Sequence, residues 1–385
     1  MVNCSIKQSM WLPRVYQNLE TYFQKGKVLV IYGPRRVGKT TLLQNFLKKY
    51  QGRYLSVTGD DLQIQETLSS QSVEKIGLLA QGYDLLIIDE AQRVPSIGWG
   101  LKILVDHFPN TQVIATGSAS FDLQNKVGEP LMGRKKILTL YPVSQLELKQ
   151  IFTQYELYQQ VENRLIFGSY PEIITAQTDA ERISVLNEIT NSYLFKDILD
   201  LERIKSAKIL VDLLRLLAFQ IGQEVSHSEL GTSLGLDKNT IARYLDLLEK
   251  SFILINIRGY SRNLRKEITK KSKYYFFDTG VRNSLIANFN RLSLRNDLGQ
   301  LWENFLVIER IKKQTYQPIY ANSYFWRTWD QKELDFVEER EGQLFAYEFK
   351  WARKEKVKIP ADFQTAYPKA KIEVVDSENY LEFVA

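Results

Sequence analysis

Apolar positions along the chain fall into short continuous runs, helical stripes and alternating stretches, and the change from one pattern to the next divides it into parts. Near the amino end, Val28-Leu29-Val30-Ile31-Tyr32, Leu85-Leu86-Ile87-Ile88 and the core of Thr111 to Ser118 are short and unbroken, as strands buried on both faces are. Thr41 to Leu47 carries apolar residues at helical spacing, as do Leu101, Leu104, Val105 and Phe108. Farther on, Ile209, Leu210, Leu213, Leu214 and Leu217 form the apolar face of one helix. Ser226 with Glu229 opens a second that ends near Gly235, and Asp237 caps a third whose buried side is Ile241, Leu245 and Leu248. Phe252 to Ile257 and Tyr274 to Phe277 predict strands around a basic loop. In the last part, Lys332 to Val337 and Gln343 to Lys350 alternate on either side of a turn at Glu339 to Gly342, which predicts a hairpin.

The first strand runs into Gly33-Pro34-Arg35-Arg36-Val37-Gly38-Lys39-Thr40, which fits the phosphate-cradling loop G-x-x-x-x-G-K-[ST] and is followed by a helix beginning near Thr41. Gly33 and Gly38 permit a tight path that aims backbone N–H groups at phosphate oxygens, and the helix start adds positive potential. Lys39 is expected to reach the β- and γ-phosphates and Thr40 to coordinate magnesium. The second strand ends in Asp89-Glu90, where Asp89 would hold the metal and Glu90 would polarise the attacking water. ATP and Mg2+ are the implied cofactors. Arg134, after Gly133, is a candidate for stabilising transition-state charge, or else a surface arginine beside Lys135 and Lys136. It could serve its own subunit or a neighbour, which admits a homo-oligomer.

At 385 residues, with 44% apolar and 25% charged, the chain has the size for two or three ordinary globular domains. No stretch is long and apolar enough to span a membrane, Met1 to Val15 lacks the layout of a signal peptide, and a cytoplasmic protein is expected. One cysteine and two histidines, His107 and His227, exclude an internal disulfide and a structural zinc cluster. Hydrolytic chemistry must therefore use carboxylates and metal.

The formal charge of +6 is modest but concentrated. Between Arg258 and Lys273 stand Arg258, Arg262, Arg265, Lys266, Lys270, Lys271 and Lys273 against Glu267 alone, an excess as large as that of the whole chain. Three helices, a strand, this loop and a second strand make a winged-helix pattern, with Lys238, Asn239 and Arg243 on the outer side of the third helix. Lys238, Asn239, Arg243, Arg258, Arg262, Arg265 and Lys266 are candidate nucleic-acid contacts, DNA being favoured over RNA. Asp246 and Glu249 oppose close approach along the whole helix, and a protein-connector role is the competing reading.

In the predicted hairpin, Glu348 and Lys350 share a face because side chains repeat every two residues, and Asp335 can oppose Glu348 across the strands. With Glu303 from a preceding helix, this is the D…E-x-K arrangement of restriction-endonuclease-like nucleases, a divalent-metal site with a lysine beside the scissile phosphate. A solvated hairpin with charges on its polar face would look similar.

The chain resembles a group of archaeal and bacterial AAA-like P-loop ATPases fused to a C-terminal restriction-endonuclease-like domain. The resemblance runs through Ile88-Asp89-Glu90-Ala91-Gln92, Thr116-Gly117-Ser118, Gly133-Arg134, Tyr141-Pro142-Val143-Ser144, Gly168-Ser169-Tyr170-Pro171-Glu172, Tyr193, Lys196-Asp197, Tyr275-Phe276-Phe277-Asp278-Thr279-Gly280, Trp302-Glu303-Asn304, Trp326-Arg327, Glu333-Leu334-Asp335-Phe336 and Glu348-Phe349-Lys350. It implies an α/β protein with a P-loop NTPase sheet over 1–150, a helical linker over 151–206, a winged helix over 207–277 and a restriction-endonuclease-like domain over 278–385. It also implies that Gly33 to Thr41 with Asp89 bind the nucleotide, and that Ser118 is a polar sensor of the γ-phosphate. Two functions compete: an ATP-dependent enzyme acting on DNA with a C-terminal nuclease site, and an ATP-operated regulatory switch of STAND type whose nuclease-like fold only binds a partner.

Overall fold

In a computed structural model, the residues described are 11–118, 130–194, 207–261, 272–328, 330–352, 357 and 359–385. The three apolar runs are strands β1 (Val28–Tyr32), β3 (Leu85–Asp89) and β4 (Gln112–Gly117); β2 (Tyr54–Thr58) and β5 (Lys135–Thr139) complete the sheet. All are parallel in the order β2-β3-β4-β1-β5. Every residue of β1 is buried, as a central parallel strand requires. Helices α1 (Lys39–Leu47), α2 (Leu62–Ser69), α3 (Val73–Ala80) and α4 (Ile97–His107) connect and cover the strands. In a sheet of this order, ligands bind beyond the carboxyl ends of the strands, and β1 and β3 both end there. This is a P-loop NTPase fold.

A helical region follows: α5 (Gln145–Leu148), α6 (Gln154–Phe167), α7 (Pro171–Thr175), α8 (Asp179–Glu188), α9 (Ala207–Phe219), α10 (His227–Leu234) and α11 (Lys238–Lys250). The local rules explain its boundaries. Ser226 accepts from the Glu229 amide to open α10, Gly235 closes that helix in the left-handed conformation, and Asp237 accepts from the Asn239 and Thr240 amides to open α11. Strands β6 (Glu224–Val225), β7 (Leu254–Gly259) and β8 (Ser272–Phe276) accompany these helices.

The second α/β region contains α12 (Thr279–Leu285), α13 (Leu298–Tyr316), β9 (Asn322–Arg327), β10 (Glu333–Arg340), β11 (Gln343–Phe349), α14 (Ala361–Ala366), β12 (Lys371–Val375) and α15 (Tyr380–Val384). β10 and β11 form the expected antiparallel hairpin. Arg340 pairs with Gln343, so its turn is the two-residue Glu341-Gly342, both at positive φ. One seven-stranded sheet, in the order β12-β11-β10-β9-β7-β8-β6, joins this region to the helical one through the parallel pairing of β7 with β9. The sheet therefore crosses residue 277.

Helix α13 packs across the molecule with Trp302 and Leu306 fully buried. Arg310 pairs there with Glu338 at 2.5 Å and Lys312 with Glu309 at 2.6 Å, while the buried Lys313 donates to the backbone carbonyls of Glu382, Phe383 and Ala385. Near its carboxyl end it meets the segment after β5, where the Gln145 N–H donates to Glu309 (2.6 Å) and the Tyr141 N–H donates to the Tyr316 hydroxyl oxygen (3.0 Å). Glu303 and Tyr316 lie about 20 Å apart along this one helix. Among the described residues, no helix is long and apolar enough to cross a membrane.

Candidate functional site

Two separate groups of acids and lysines stand out. The first lies at the carboxyl end of the five-stranded sheet. A side chain at Gly33 would place its Cβ 2.0 Å from the Leu140 carbonyl oxygen, so only glycine fits there. Gly38 caps α1 at φ 91°, and Arg36 also has positive φ. The loop between them is consequently tight and returns on itself. Lys39 is buried at the first position of α1, and its ammonium donates to the carbonyls of Gly33 (2.9 Å) and Pro34 (2.8 Å).

The Thr40 hydroxyl donates to Asp89 Oδ2 at 3.0 Å, which brings together the two residues expected to share a magnesium ion. The other oxygen of Asp89 accepts from the Glu90 amide (3.2 Å) and from the buried Thr116 hydroxyl. Thr116 escaped the sequence reading because its role depends on the pairing of β4 with β3, which no local pattern displays. Glu90 follows at positive φ, and Gln92 donates to its carboxylate. Ser118 is buried one residue beyond β4. Gly117 pairs with Tyr32, so Ser118 stands level with the start of the loop. A hydroxyl and a carboxylate in contact are hard oxygen donors suited to Mg2+, and the close approach at Gly33 with a buried ammonium suits a polyphosphate.

Three arginines depart from expectation or refine it. Arg134 cannot serve its own site in this arrangement. Its carbonyl accepts from the Val28 N–H (2.8 Å) at the beginning of β1, and its guanidinium pairs with Asp106 (2.7 Å). It is therefore at the amino end of the sheet, roughly 16 Å from the loop by strand rise alone. Arg36 turns away from the loop interior to Glu188 (2.5 Å) and Glu172 (3.1 Å), tying the loop to α7 and α8. Arg35 is half-buried in the loop, Val37 is fully buried, and Thr41 is exposed on the first turn of α1.

The second group lies on the seven-stranded sheet. The register that pairs Phe336 with Tyr347 sets Asp335 opposite Glu348, and Asp335 accepts from the Phe349 N–H at 2.7 Å. Lys350 donates to Glu348 at 2.6 Å. Glu303 reaches the same place from α13, as does Glu333 from β10. Carboxylate oxygens of Glu303, Glu333 and Asp335 all lie within 4.8 Å of one another. Desolvation raises the Asp335 carboxyl well above the ordinary carboxylate range, and the charges of Glu303 and Glu348 add to it. Burial raises Glu303 as well, against the pull of Lys273 and a hydrogen bond from Tyr275. For Lys350 burial works downward, but Glu348, Asp335 and Glu303 overcome it and raise the ammonium. The oxygen donors suit a hard divalent cation.

At the centre of this group is a residue the sequence reading put elsewhere. Lys273 counted among the basic run, yet it is buried, donating to Glu303 (3.0 Å) and to Glu333, while the Tyr275 hydroxyl donates to Glu303 at 2.6 Å. Strand alternation was the available signal, since Glu333 and Asp335 share a face, as do Lys273 and Tyr275. Of the candidate polymer contacts, Lys238, Asn239 and Arg243 are exposed on α11, and Arg258 is exposed on β7. Arg262, Arg265 and Lys266, with Lys196 and Asp197, lie outside the described residues.

The sequence profile of an AAA domain matches residues 25–149. Profiles of two domains of unknown function, DUF8612 and DUF4143, match 158–292 and 298–384. An uncharacterized protein of Mycobacterium tuberculosis is 27% identical over 86% of this chain and 72% of its own length. One of Haemophilus influenzae is 28% identical over 89% of this chain and 86% of its own. Among solved structures, a Walker-type ATPase of Pyrococcus abyssi aligns with 71% of this chain and 94% of that one, at 18% identity and a TM-score of 0.47. The RuvB Holliday junction branch migration motor of Thermotoga maritima aligns with 60% and 81%, at 19% identity and a TM-score of 0.29. The amino-terminal part of the chain is an AAA-type P-loop domain, and the protein is an ATPase.

Proposed function

We propose that this ATPase couples nucleotide hydrolysis to work on nucleic acid, with DNA as the polymer, and that the carboxylate group on the seven-stranded sheet is a metal-dependent nuclease site. In the ATPase centre the loop amides and Lys39 hold the triphosphate, Thr40 and Asp89 hold magnesium, and Thr116 keeps Asp89 turned toward Thr40. Glu90, steadied by Gln92, accepts the proton of the attacking water, and Ser118 reads the γ-phosphate. The metal supplies charge stabilisation at the transferring phosphoryl group. Arg134, a strand's length from its own loop, would complete the site of a neighbouring copy, which makes the working form a homo-oligomer.

The observation that supports the nucleic-acid half is the convergence of Glu303, Asp335, Glu348 and Lys350 from three elements onto one spot of a sheet that also carries β7. Glu303, Glu333 and Asp335 would hold the divalent ion, and Lys350 would face the scissile phosphate. The exposed Lys238, Asn239, Arg243 and Arg258 would contact the backbone. The test measures ATP turnover with and without single-stranded, duplex and branched DNA, and runs the same samples for strand scission with Mg2+ or Mn2+. DNA-stimulated turnover, with cleavage lost in Asp335→Ala and Glu348→Ala, is expected. Intact DNA and indifferent turnover would overturn this reading in favour of the regulatory switch. The pairing of Lys273 with Glu303 and Glu333 favours that second reading, because an ammonium already balances two of the acids.

A further inference from the structure

The AAA match begins at residue 25, yet the phosphate loop is gripped by a residue upstream of it. Arg14 lies in the irregular segment before β1 and is 4% exposed. Its guanidinium donates to the Val37 carbonyl (2.5 Å), to the Tyr141 carbonyl (2.6 Å) and to Glu147 Oε1 (2.9 Å). Glu147 is itself fixed: it forms a capping box with Ser144 at the start of α5 and accepts the Val15 N–H at 3.0 Å. Three of the five guanidinium donor positions are thus used along a planar fork, which a lysine could not reproduce.

The contact with Val37 bears on the chemistry. Val37 is followed by Gly38, and a glycine, with no Cβ, tolerates either orientation of the peptide that joins them. In a trans peptide the carbonyl of Val37 and the N–H of Gly38 point in opposite directions. Holding the carbonyl on the outer side therefore aims the Gly38 N–H inward, where the loop cradles phosphate. A flipped peptide would present a carbonyl oxygen to an anion instead.

We propose that Arg14 is a positioning residue of the ATPase centre: it locks the Val37–Gly38 peptide in the phosphate-accepting orientation. It touches no reacting atom and acts through the loop backbone. Its second acceptor, Tyr141, is the residue whose N–H meets Tyr316 at the end of α13, so the same guanidinium braces the loop against the C-terminal region. The inference rests on the phosphate-loop reading and not on the nuclease reading.

The test titrates a fluorescent ADP analogue into the full chain, beside melting curves, for wild type, Arg14→Met, Arg14→Lys and Arg310→Met. Arg310 is a control, similarly buried and paired but on α13, with Glu338 of β10 as its partner. Losing a charge-assisted hydrogen bond at the loop should weaken ADP binding about ten- to a hundredfold in Arg14→Met and less in Arg14→Lys, with KM for ATP moving more than kcat. Arg310→Met should melt lower with ADP affinity unchanged. Wild-type affinity in folded Arg14→Met would overturn the proposal. If Arg14→Met does not fold, wild-type affinity in Arg14→Lys would do so. A wild-type chain that binds no nucleotide would sink the phosphate-loop reading itself.

Discussion

The two acidic centres use the same residue types in opposite ways. At the phosphate loop, lysine and acid meet backbone and hydroxyl groups: Lys39 is turned to backbone carbonyls, and Asp89 is served by Thr40, Thr116 and the Glu90 amide. On the seven-stranded sheet they are pressed together. Lys273 is buried between Glu303 and Glu333, Lys350 lies against Glu348, and Asp335 is pushed toward its neutral form. The first arrangement holds its charged side chains through backbone and hydroxyl groups. The second spends them on one another, and a divalent ion entering it would have to redistribute those pairs.

Breaking the first centre should have the largest effect. Lys39→Ala should reduce ATP turnover to background and abolish nucleotide binding, measured by phosphate release and by calorimetry. Normal turnover would mean that the loop is not the site. Glu90→Gln should lower kcat by roughly two to four orders of magnitude while ATP remains bound, as trapping assays can read. A variant that turns over normally would remove Glu90 from the role of base.

The second centre is probed through its buried ammonium. Lys273→Met removes the ammonium shared by Glu303 and Glu333, leaving them Tyr275 and Arg327, and should destabilise the fold by about 3 kcal/mol in denaturant titrations, as broken buried pairs do. Mn2+ should return part of that loss if the acids can hold a metal. An unchanged midpoint would show that the acids do not depend on Lys273.

The smallest effect sharpens the comparison with an acid in neither centre. Glu249 on α11 is pushed up to about 7, first by burial and then by Asp246, against the opposing charge of Arg258. Because its folded pKa exceeds the unfolded value, its contribution is fully present below about pH 4.5 and is lost as the pH rises through about 7. Glu249→Gln should therefore raise the melting temperature by roughly 1–2 °C at pH 8 and leave it unchanged at pH 4. An equal shift at both pH values would refute the assignment.

How legible these centres were depended on how local their instructions are. The loop from Gly33 to Thr40 and the strand ending at Asp89 are written in contiguous residues, so their contact follows once β1 and β3 share a sheet. The pairing of Asp335 with Glu348 could be read from period-two alternation across a short turn. Thr116 and Arg14 could not, because each acts through a partner set by strand register or by long-range packing. Lys273 misled because its sequence neighbours are basic, whereas burial is decided by β8 lying inside the sheet. Arg134 stood open between its own site and a neighbour's because β5, which begins at the next residue and sets Arg134 at the amino end of the sheet, shows no strand pattern of its own.

The sheet that crosses residue 277 limits how this chain can be dissected. A fragment beginning there would carry away β9 with its hydrogen-bonding edge bared, leave β7 and β8 behind, and strip Glu303 and Glu333 of the ammonium between them. Such a truncation should aggregate. Any activity assigned to the carboxyl-terminal acids must accordingly be sought in a polypeptide that retains the strands before them.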